Sequence, residues 1–69
     1  MALPEFDADR VRNTSNVMRT IVRLHAAIAD NKSIADRFPS RAAAARKRIA
    51  EARRELTRAQ VELADMLLA

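Results

Sequence analysis

Apolar residues recur at alternating spacings of three and four along the second half of the chain. The repeat runs through Ala42, Ala45, Ile49, Ala52, Leu56, Ala59, Leu63 and Met66. One heptad position holds large branched residues from 49 to 63, and the other holds alanine from 45 to 59. Alternating large and small layers let two helix backbones approach closely while the large side chains fill the gaps. The pattern therefore predicts a long α-helix that packs along a second helix.

The chain contains no glycine and two prolines. Tight turns between β-strands need residues that accept a positive φ, so a chain without glycine disfavours a sheet. The breakers are Pro4, Pro39 and the polar stretch 30–33, and they predict a single helical-hairpin domain over 1–69. Its parts are an arm over 1–6, a first helix over 7–31, a connector over 32–39 and a second helix over 40–68.

Three residues are placed to cap the predicted helices. Asp7 can accept hydrogen bonds from the first turn of the first helix, and Ser40 can do the same for the second. Asn31 is expected to end the first helix because asparagine tolerates the left-handed conformation. We expect 33–38 to form a separate helical turn, with Ile34 and Phe38 closing the end of the core. The alternative is a first helix that runs unbroken to Phe38. Pro39 forces a boundary in either case, since it disfavours helical geometry at the residue before it.

The first helix carries a wide apolar face. Its predicted seam is Val11, Met18, Ile21, His25 and Ile28, at spacings of three, four and seven. The residues that flank this seam are Val17, Val22, Leu24 and Ala29. Such width is typical of a bundle helix rather than of a two-stranded coiled coil.

We expect an all-α fold in which an antiparallel two-helix hairpin dimerises into a four-helix bundle. A domain of 69 residues is marginal alone, and small folds are usually supported by disulfides, a metal or oligomerisation. The chain has no cysteine and one histidine, which excludes a disulfide and disfavours a zinc cluster. A higher oligomer and an obligate complex with a different chain are the alternatives. The residues assigned to the core and the dimer contact are Val11, Met18, Ile21, Ile28, Ile49, Leu56, Leu63 and Met66.

Catalytic chemistry is hard to place on this chain. His25 is the one side chain suited to proton transfer near neutral pH, and its position between Ile21 and Ile28 favours a packed or boundary histidine over a ligand or a switch. The chain has no glycine-rich phosphate loop. The sequence therefore predicts a protein that is not an enzyme, with no catalytic residues, no metal site and no cofactor. Because no apolar run approaches ~18 residues and the amino terminus does not resemble a secretory signal, we expect a cytoplasmic location and no membrane partner.

Charge is the main clue to partners. The net charge is +4, and of the 13 basic residues only Lys32 and Lys47 are lysines. A basic balance favours acidic partners, either nucleic acid or an acidic protein surface. A genome rich in G and C would also enrich arginine and alanine.

Two groups of polar residues are candidates for a partner surface. The first helix carries a polar stripe opposite its apolar face, in which Arg19 and Arg23 have no acidic residue nearby on the same helix. On the second helix, Glu51 and Glu55 stand three or four residues from basic side chains, so ion pairs are expected there. A merely solvated face is the alternative for both groups. The residues assigned to partner binding are Arg12, Asn16, Arg19, Arg23, Arg41, Lys47 and Arg54.

A second apolar patch lies at the carboxyl end of the second helix, where Val61, Leu67 and Leu68 fall outside the main seam. In an antiparallel hairpin this end meets the N-terminal arm, so Leu3 and Phe6 are placed to cover it. The alternative is an exposed docking patch for a partner.

The predicted hairpin dimer resembles the Rop type of RNA-binding bundle over the seams 18–28 and 49–63, with two antiparallel helices and a core of layered small and large residues. This resemblance of architecture implies a basic helix face that contacts phosphates. In its length and its helix–Asn31–Pro39–helix plan, the chain is also similar to small phage-encoded proteins that disarm host regulators, such as anti-activators of quorum-sensing transcription factors. That resemblance implies a stoichiometric inhibitor whose arginine-lined face meets an acidic host surface.

The leading functional prediction is a small homodimeric protein–protein interaction module. It would act as a non-catalytic inhibitor or adaptor that binds a host or regulatory protein, such as a transcription factor. The alternative is a Rop-like, nucleic-acid-binding hairpin dimer. A subunit of a larger coiled-coil assembly is a third interpretation.

Overall fold

The computed structural model describes residues 8–68 and contains two α-helices joined by a short 3-10 turn. Helix α1 spans Ala8–Arg37, the turn is Pro39–Arg41, and helix α2 spans Ala42–Leu68. At 1.5 Å per residue the helices are about 45 and 40 Å long, and they pack against each other as a hairpin. The described residues contain no β-strand, so the all-α hairpin is confirmed. Neither helix holds an apolar stretch long enough to cross a lipid bilayer.

The predicted end of the first helix at Asn31 is wrong, and so is the separate helical turn predicted over 33–38. Helix α1 continues to Arg37, close to the alternative of an unbroken helix to Phe38. The Asn31 side-chain amide donates a hydrogen bond to the Ala27 carbonyl oxygen at 2.8 Å, so it bonds back along the helix instead of ending it. None of the described residues has a positive φ, and a left-handed cap is therefore absent from this range. The predicted start at Asp7 lies outside the described residues.

Pro39 sets the boundary between the helices. Phe38, immediately before it, has φ −127° and ψ 86°, the extended geometry that a following proline favours. The Phe38 amide still donates to the Ile34 carbonyl oxygen at 2.9 Å. The predicted cap at Ser40 is wrong, because Ser40 lies inside the 3-10 turn and the Ala42 amide bonds to the Pro39 carbonyl instead.

Helix α2 turns its heptad seam towards α1. The buried seam residues are Ala42, Ala45, Ile49, Ala52 and Ala59, and the half-buried ones are Leu56, Leu63 and Met66. Ile49 and Ala52 form a cluster with Leu24 and Ile28 of α1. Ala45 is fully buried, as expected where an alanine layer lets the facing backbone approach closely.

Helix α1 buries a stripe that shares Ile21 and Ile28 with the predicted seam but contains Val17 and Leu24 instead of Val11, Met18 and His25. The residues of this stripe are Val17, Ile21, Leu24 and Ile28, of which only Ile21 is half-buried and the rest are buried. Val11 and Met18 are 49% and 53% exposed, so they do not lie in the core within the hairpin, and their assignment to a dimer contact stays a prediction. His25, predicted to lie on the seam, is exposed beside it. The apolar side chains of α1 cover a wider arc than one neighbouring helix can bury. Helix α2 buries the stripe at 17, 21, 24 and 28, whose alternating spacings of four and three match those of its own seam.

Side chains of α1 close the open end of the hairpin, opposite the turn. The Arg10 guanidinium donates to the Met66 carbonyl oxygen at 2.6 Å, and the Thr14 hydroxyl lies 4.0 Å from the Met66 sulfur. A cation beside the last carbonyls of a helix complements the helix dipole. These contacts set the antiparallel register, in which the first turns of α1 face the last turns of α2.

Candidate interaction surfaces

The hairpin presents an outer edge on each helix and two broad faces, one on either side of the seam. Helical periodicity assigns side chains to these surfaces, because residues three, four and seven apart share one side of a helix. When two helices pack antiparallel, a given heptad position beside the seam of one helix lies next to the same heptad position of the other. Each broad face of the hairpin is therefore made of the same heptad positions on both helices. Within the described range there is no cavity and no cluster of three side chains able to hold a metal ion.

The α1 edge lies opposite the seam and consists of Arg12, Asn16, Arg19 and Arg23, all of them exposed. From first to last they span about 16 Å along the helix. Arg12 lies 3.9 Å from the Asp9 carboxylate, an exposed pair of a kind that contributes little to stability. Arg19 and Arg23 have no carboxylate oxygen within 4.0 Å among residues 8–68. The α1 edge therefore offers two arginines to an external anion.

The α2 edge lies on the other side of the hairpin and carries Lys47 and Arg54, both exposed. The structure thus places six of the seven predicted partner-binding residues on two edges, separated by roughly the 20 Å width of two helices. The expected ion pairs of Glu51 with Lys47 and Arg54 do not form within 4.0 Å, and neither does that of Glu55 with Arg58. Long side chains in water gain little from pairing and lose rotamer freedom.

Arg41 belongs to neither edge. It lies in the 3-10 turn with its guanidinium carbon 5.3 Å from the centroid of the Phe38 ring, a cation–π contact that stabilises the turn. Arg41 is one of several exposed basic residues around the turn, here named the turn cluster. The turn cluster consists of Lys32, Arg37, Arg41, Arg46, Lys47 and Arg48.

One broad face, here named the apolar face, carries four of the seven large apolar side chains that are exposed among the described residues. Its apolar residues are Val11, Met18, Val22 and Ala29 of α1 with Ala43, Ala50, Ala64 and Leu67 of α2. Val22 is 69% exposed and Leu67 is 67% exposed. From the sequence, Val22 and the three alanines are assigned neither to the core and dimer contact nor to partner binding. The signal that finds Val22 is a second apolar stripe beside the seam, at positions 11, 18, 22 and 29.

The opposite broad face, here named the polar face, carries polar and charged side chains. Its exposed residues are Asn13 and Thr20 of α1 with Arg48, Glu55 and Glu62 of α2. The apolar residues on this side, Ala27 and Ile34, are already half-buried within the hairpin. The two broad faces therefore differ sharply in how much apolar surface they leave in water.

The carboxyl end of α2 adds exposed apolar residues to the α2 edge. Val61 is 56% exposed and Leu68 is 87% exposed. The predicted cover for this end, by Leu3 and Phe6, lies outside the described residues.

No protein-family model, no curated protein and no solved structure matches this chain. The function must therefore be argued from the hairpin's own surfaces.

Proposed function

We propose that this chain is a small homodimeric interaction module that binds an acidic surface of another protein, as a non-catalytic inhibitor or adaptor. The observation that carries the proposal is the α1 edge, where Arg19 and Arg23 are exposed and have no carboxylate within 4.0 Å among the described residues. A guanidinium is planar and binds a carboxylate through two parallel hydrogen bonds. Asn16, on the same edge, adds an amide that can both donate and accept.

The α1 edge is better suited to binding than to stabilising the hairpin. An exposed charge pair in water contributes about 0.2–1 kcal/mol, whereas close charge pairs within an interface couple by about 1.5–7 kcal/mol. The arginines stand on a rigid helix about 6 Å apart along its axis, so no backbone has to be ordered when a partner binds. A partner that excludes water from this edge would therefore gain most from it.

The α1 edge can be tested by affinity capture from the source organism with paired charge reversals. The unmodified chain is compared with an Arg19→Glu/Arg23→Glu variant, and a Lys47→Glu/Arg54→Glu variant of the α2 edge serves as the matched control. We expect a protein with an acidic surface to be captured by the unmodified chain and by the control, and lost from the α1-edge variant. With the purified partner, the α1-edge variant should bind at least about tenfold more weakly, or ~1.4 kcal/mol.

Equal binding by the unmodified chain and the α1-edge variant would contradict the proposal. Equal loss in both variants would also contradict it, since net charge alone would then explain capture. Circular dichroism of each variant checks that the helices are intact.

A second candidate function is the binding of nucleic acid, as in the Rop type of bundle. The observation that favours it is the turn cluster, whose six basic side chains are all exposed. A phosphate binder releases counterions, so its affinity should fall by orders of magnitude between about 50 and 200 mM salt. Random duplex RNA and DNA are suitable probes, and Arg41→Ala/Arg46→Ala should reduce the salt slope. If neither nucleic acid is retained at the lower salt, this candidate is rejected.

A further inference from the structure

The hairpin leaves one broad face without cover. The large apolar side chains on the apolar face are Val11, Met18, Val22 and Leu67, each exposed by about half or more. Apolar surface in water costs roughly 25 cal/mol per Å² relative to burial. The polar face carries no comparable side chain within the described residues, because Ile34 is already half-buried there. The two faces therefore differ in what they gain from association.

The side chains of the apolar face are suited to a facing helix pair. Helix α2 contributes Ala43, Ala50 and Ala64, and a row of alanines lets a facing helix approach closely. Helix α1 contributes the larger Met18 and Val22, which can fill the space beside such a close approach. This repeats, on the outside of the hairpin, the combination of small and large residues that forms its core.

The area of the apolar face matches what a stable dimer needs. A face about 45 Å long and two helix diameters wide, about 20 Å, covers roughly 900 Å². A standard interface buries about 800 Å² on each partner, so a second hairpin of the same size is a sufficient cover.

Charge decides the relative direction of two such hairpins. Lys32, Arg46 and Arg53 all lie on the apolar face in the half nearer the turn, whereas the large apolar residues lie in the open half. Stacking the two turns at the same end would bring these six cations together with only the two Asp36 carboxylates of the same face among them, and like charges repel most strongly when water is excluded. Placing the turns at opposite ends moves Lys32 and Arg46 away from their counterparts and lays their alkyl stems along the exposed apolar residues of the other copy. It also brings Arg46 near the carboxyl end of the other copy's α2, where the helix dipole is negative.

We infer that a second copy of this chain docks apolar face to apolar face, with the two turns at opposite ends of the resulting four-helix bundle. This inference rests on the homodimer of the proposed function and specifies its interface. In this arrangement α1 lies over α1 and α2 lies over α2 of the other copy, and both α1 edges stay accessible to a partner.

The choice of face is tested by two aspartate variants of one helix. Met18→Asp places a charge on the apolar face, and Thr20→Asp places the same charge on the polar face. Sedimentation equilibrium should give a dimer for the unmodified chain and for Thr20→Asp, and a dimer at least about 100-fold weaker for Met18→Asp, because an unpaired charge would be buried. Circular dichroism reports whether each variant keeps its helices.

The direction is tested by single cysteines, which are clean probes because the chain has none. Val22 and Thr57 lie near the middle of the apolar face on α1 and α2. With the turns at opposite ends, Val22→Cys should form a disulfide between its own copies, and so should Thr57→Cys. With the turns at the same end, only a mixture of the two variants should cross-link efficiently. Thr20→Cys on the polar face is the control and should not cross-link. The cysteine variants report the face and the direction of docking even if Met18→Asp fails to fold.

The outcomes separate the inference from the proposed function. A stable monomer of 7.7 kDa at every concentration would overturn both the dimer and its interface. If its stability fell on removal of residues 1–6, the apolar face would belong to the chain's own arm. A dimer that is broken by Thr20→Asp and not by Met18→Asp, or that cross-links through Thr20→Cys, would overturn only the choice of face. Capture of an acidic partner through Arg19 and Arg23 is measured independently of all these results.

Discussion

At the scale of single residues, Asn31 is the clearest departure from an all-apolar seam. It lies seven residues after Leu24 on α1, and its side-chain amide donates to the Ala27 carbonyl oxygen at 2.8 Å. Its Oδ1 atom is buried and has no hydrogen-bond partner. A buried polar atom without a partner costs about 1–3 kcal/mol, and a single polar residue in a helical seam can select one register at the expense of stability.

Replacing Asn31 by leucine should stabilise the hairpin. Leucine has the same branched arrangement of side-chain heavy atoms and removes the unpartnered oxygen, so the free energy of unfolding should rise by about 1 kcal/mol. Chemical denaturation followed by circular dichroism measures the change. Asn16→Leu, on the exposed α1 edge, is the control and should alter the free energy of unfolding by less than about 0.5 kcal/mol. If Asn31→Leu lowered the stability, the hydrogen bond from the Asn31 amide to Ala27 would stabilise the hairpin by more than the unpartnered Oδ1 atom destabilises it.

At the scale of the elements, the two helices differ in how strictly their sequences define a packing side. Helix α2 has one heptad seam that carries large apolar residues along most of its length, and that seam is the one it buries. Outside the seam, its apolar residues are alanines and the C-terminal Val61, Leu67 and Leu68. Helix α1 has two neighbouring apolar stripes, and either could face α2 by periodicity alone. The stripe through Leu24 is buried and the stripe through Met18 is exposed. The α2 seam was therefore predictable from spacing, whereas the choice on α1 depended on the partner helix.

Replacement of a buried alanine of α2 by a larger residue should destabilise the hairpin. Ala45 is fully buried, so Ala45→Leu should push the helices apart and lower the free energy of unfolding by about 1–3 kcal/mol. Its neighbour Ala44 is exposed, and Ala44→Leu should have almost no effect because the two residues have similar helix propensities. Thermal unfolding of the two variants under identical conditions measures the difference. Equal midpoints would mean that the helices do not pack as closely at Ala45 as the structure shows.

At the scale of the whole molecule, the hairpin has a thin core. The buried hydrophobic residues are four small alanines and four larger residues, and each of the larger ones keeps 8–9% of its surface exposed. Chains of this size bury too little surface to be robust alone, and this one has no cysteine to form a disulfide. Burial of further apolar surface by association would therefore stabilise the hairpin, a consequence of the small core as a whole and not of any single residue.

The stability of the chain should consequently depend on its concentration. If folding and dimerisation are coupled, each tenfold increase in concentration contributes about 1.4 kcal/mol per dimer and raises the thermal midpoint by several degrees. Leu56→Asp, at a half-buried seam position, should abolish association and remove most of the helical signal, whereas Arg54→Asp on the α2 edge should keep both. A soluble, fully helical monomer of Leu56→Asp would contradict this picture of the bundle.

The sequence by itself determined the helical class, the boundary that Pro39 sets between the helices and the buried side of α2. These follow from local causes, namely the absence of glycine, the geometry that Pro39 favours at Phe38, and a strict heptad spacing. Only the tertiary structure decided that α1 continues past Asn31, that Val17 and Leu24 rather than Val11 and Met18 face α2, and that the basic residues occupy opposite edges. Each of these depends on where the second helix lies. The spacing of residues along one helix identifies its apolar stripes and charged positions, but which of them become buried is decided only when the two helices pack.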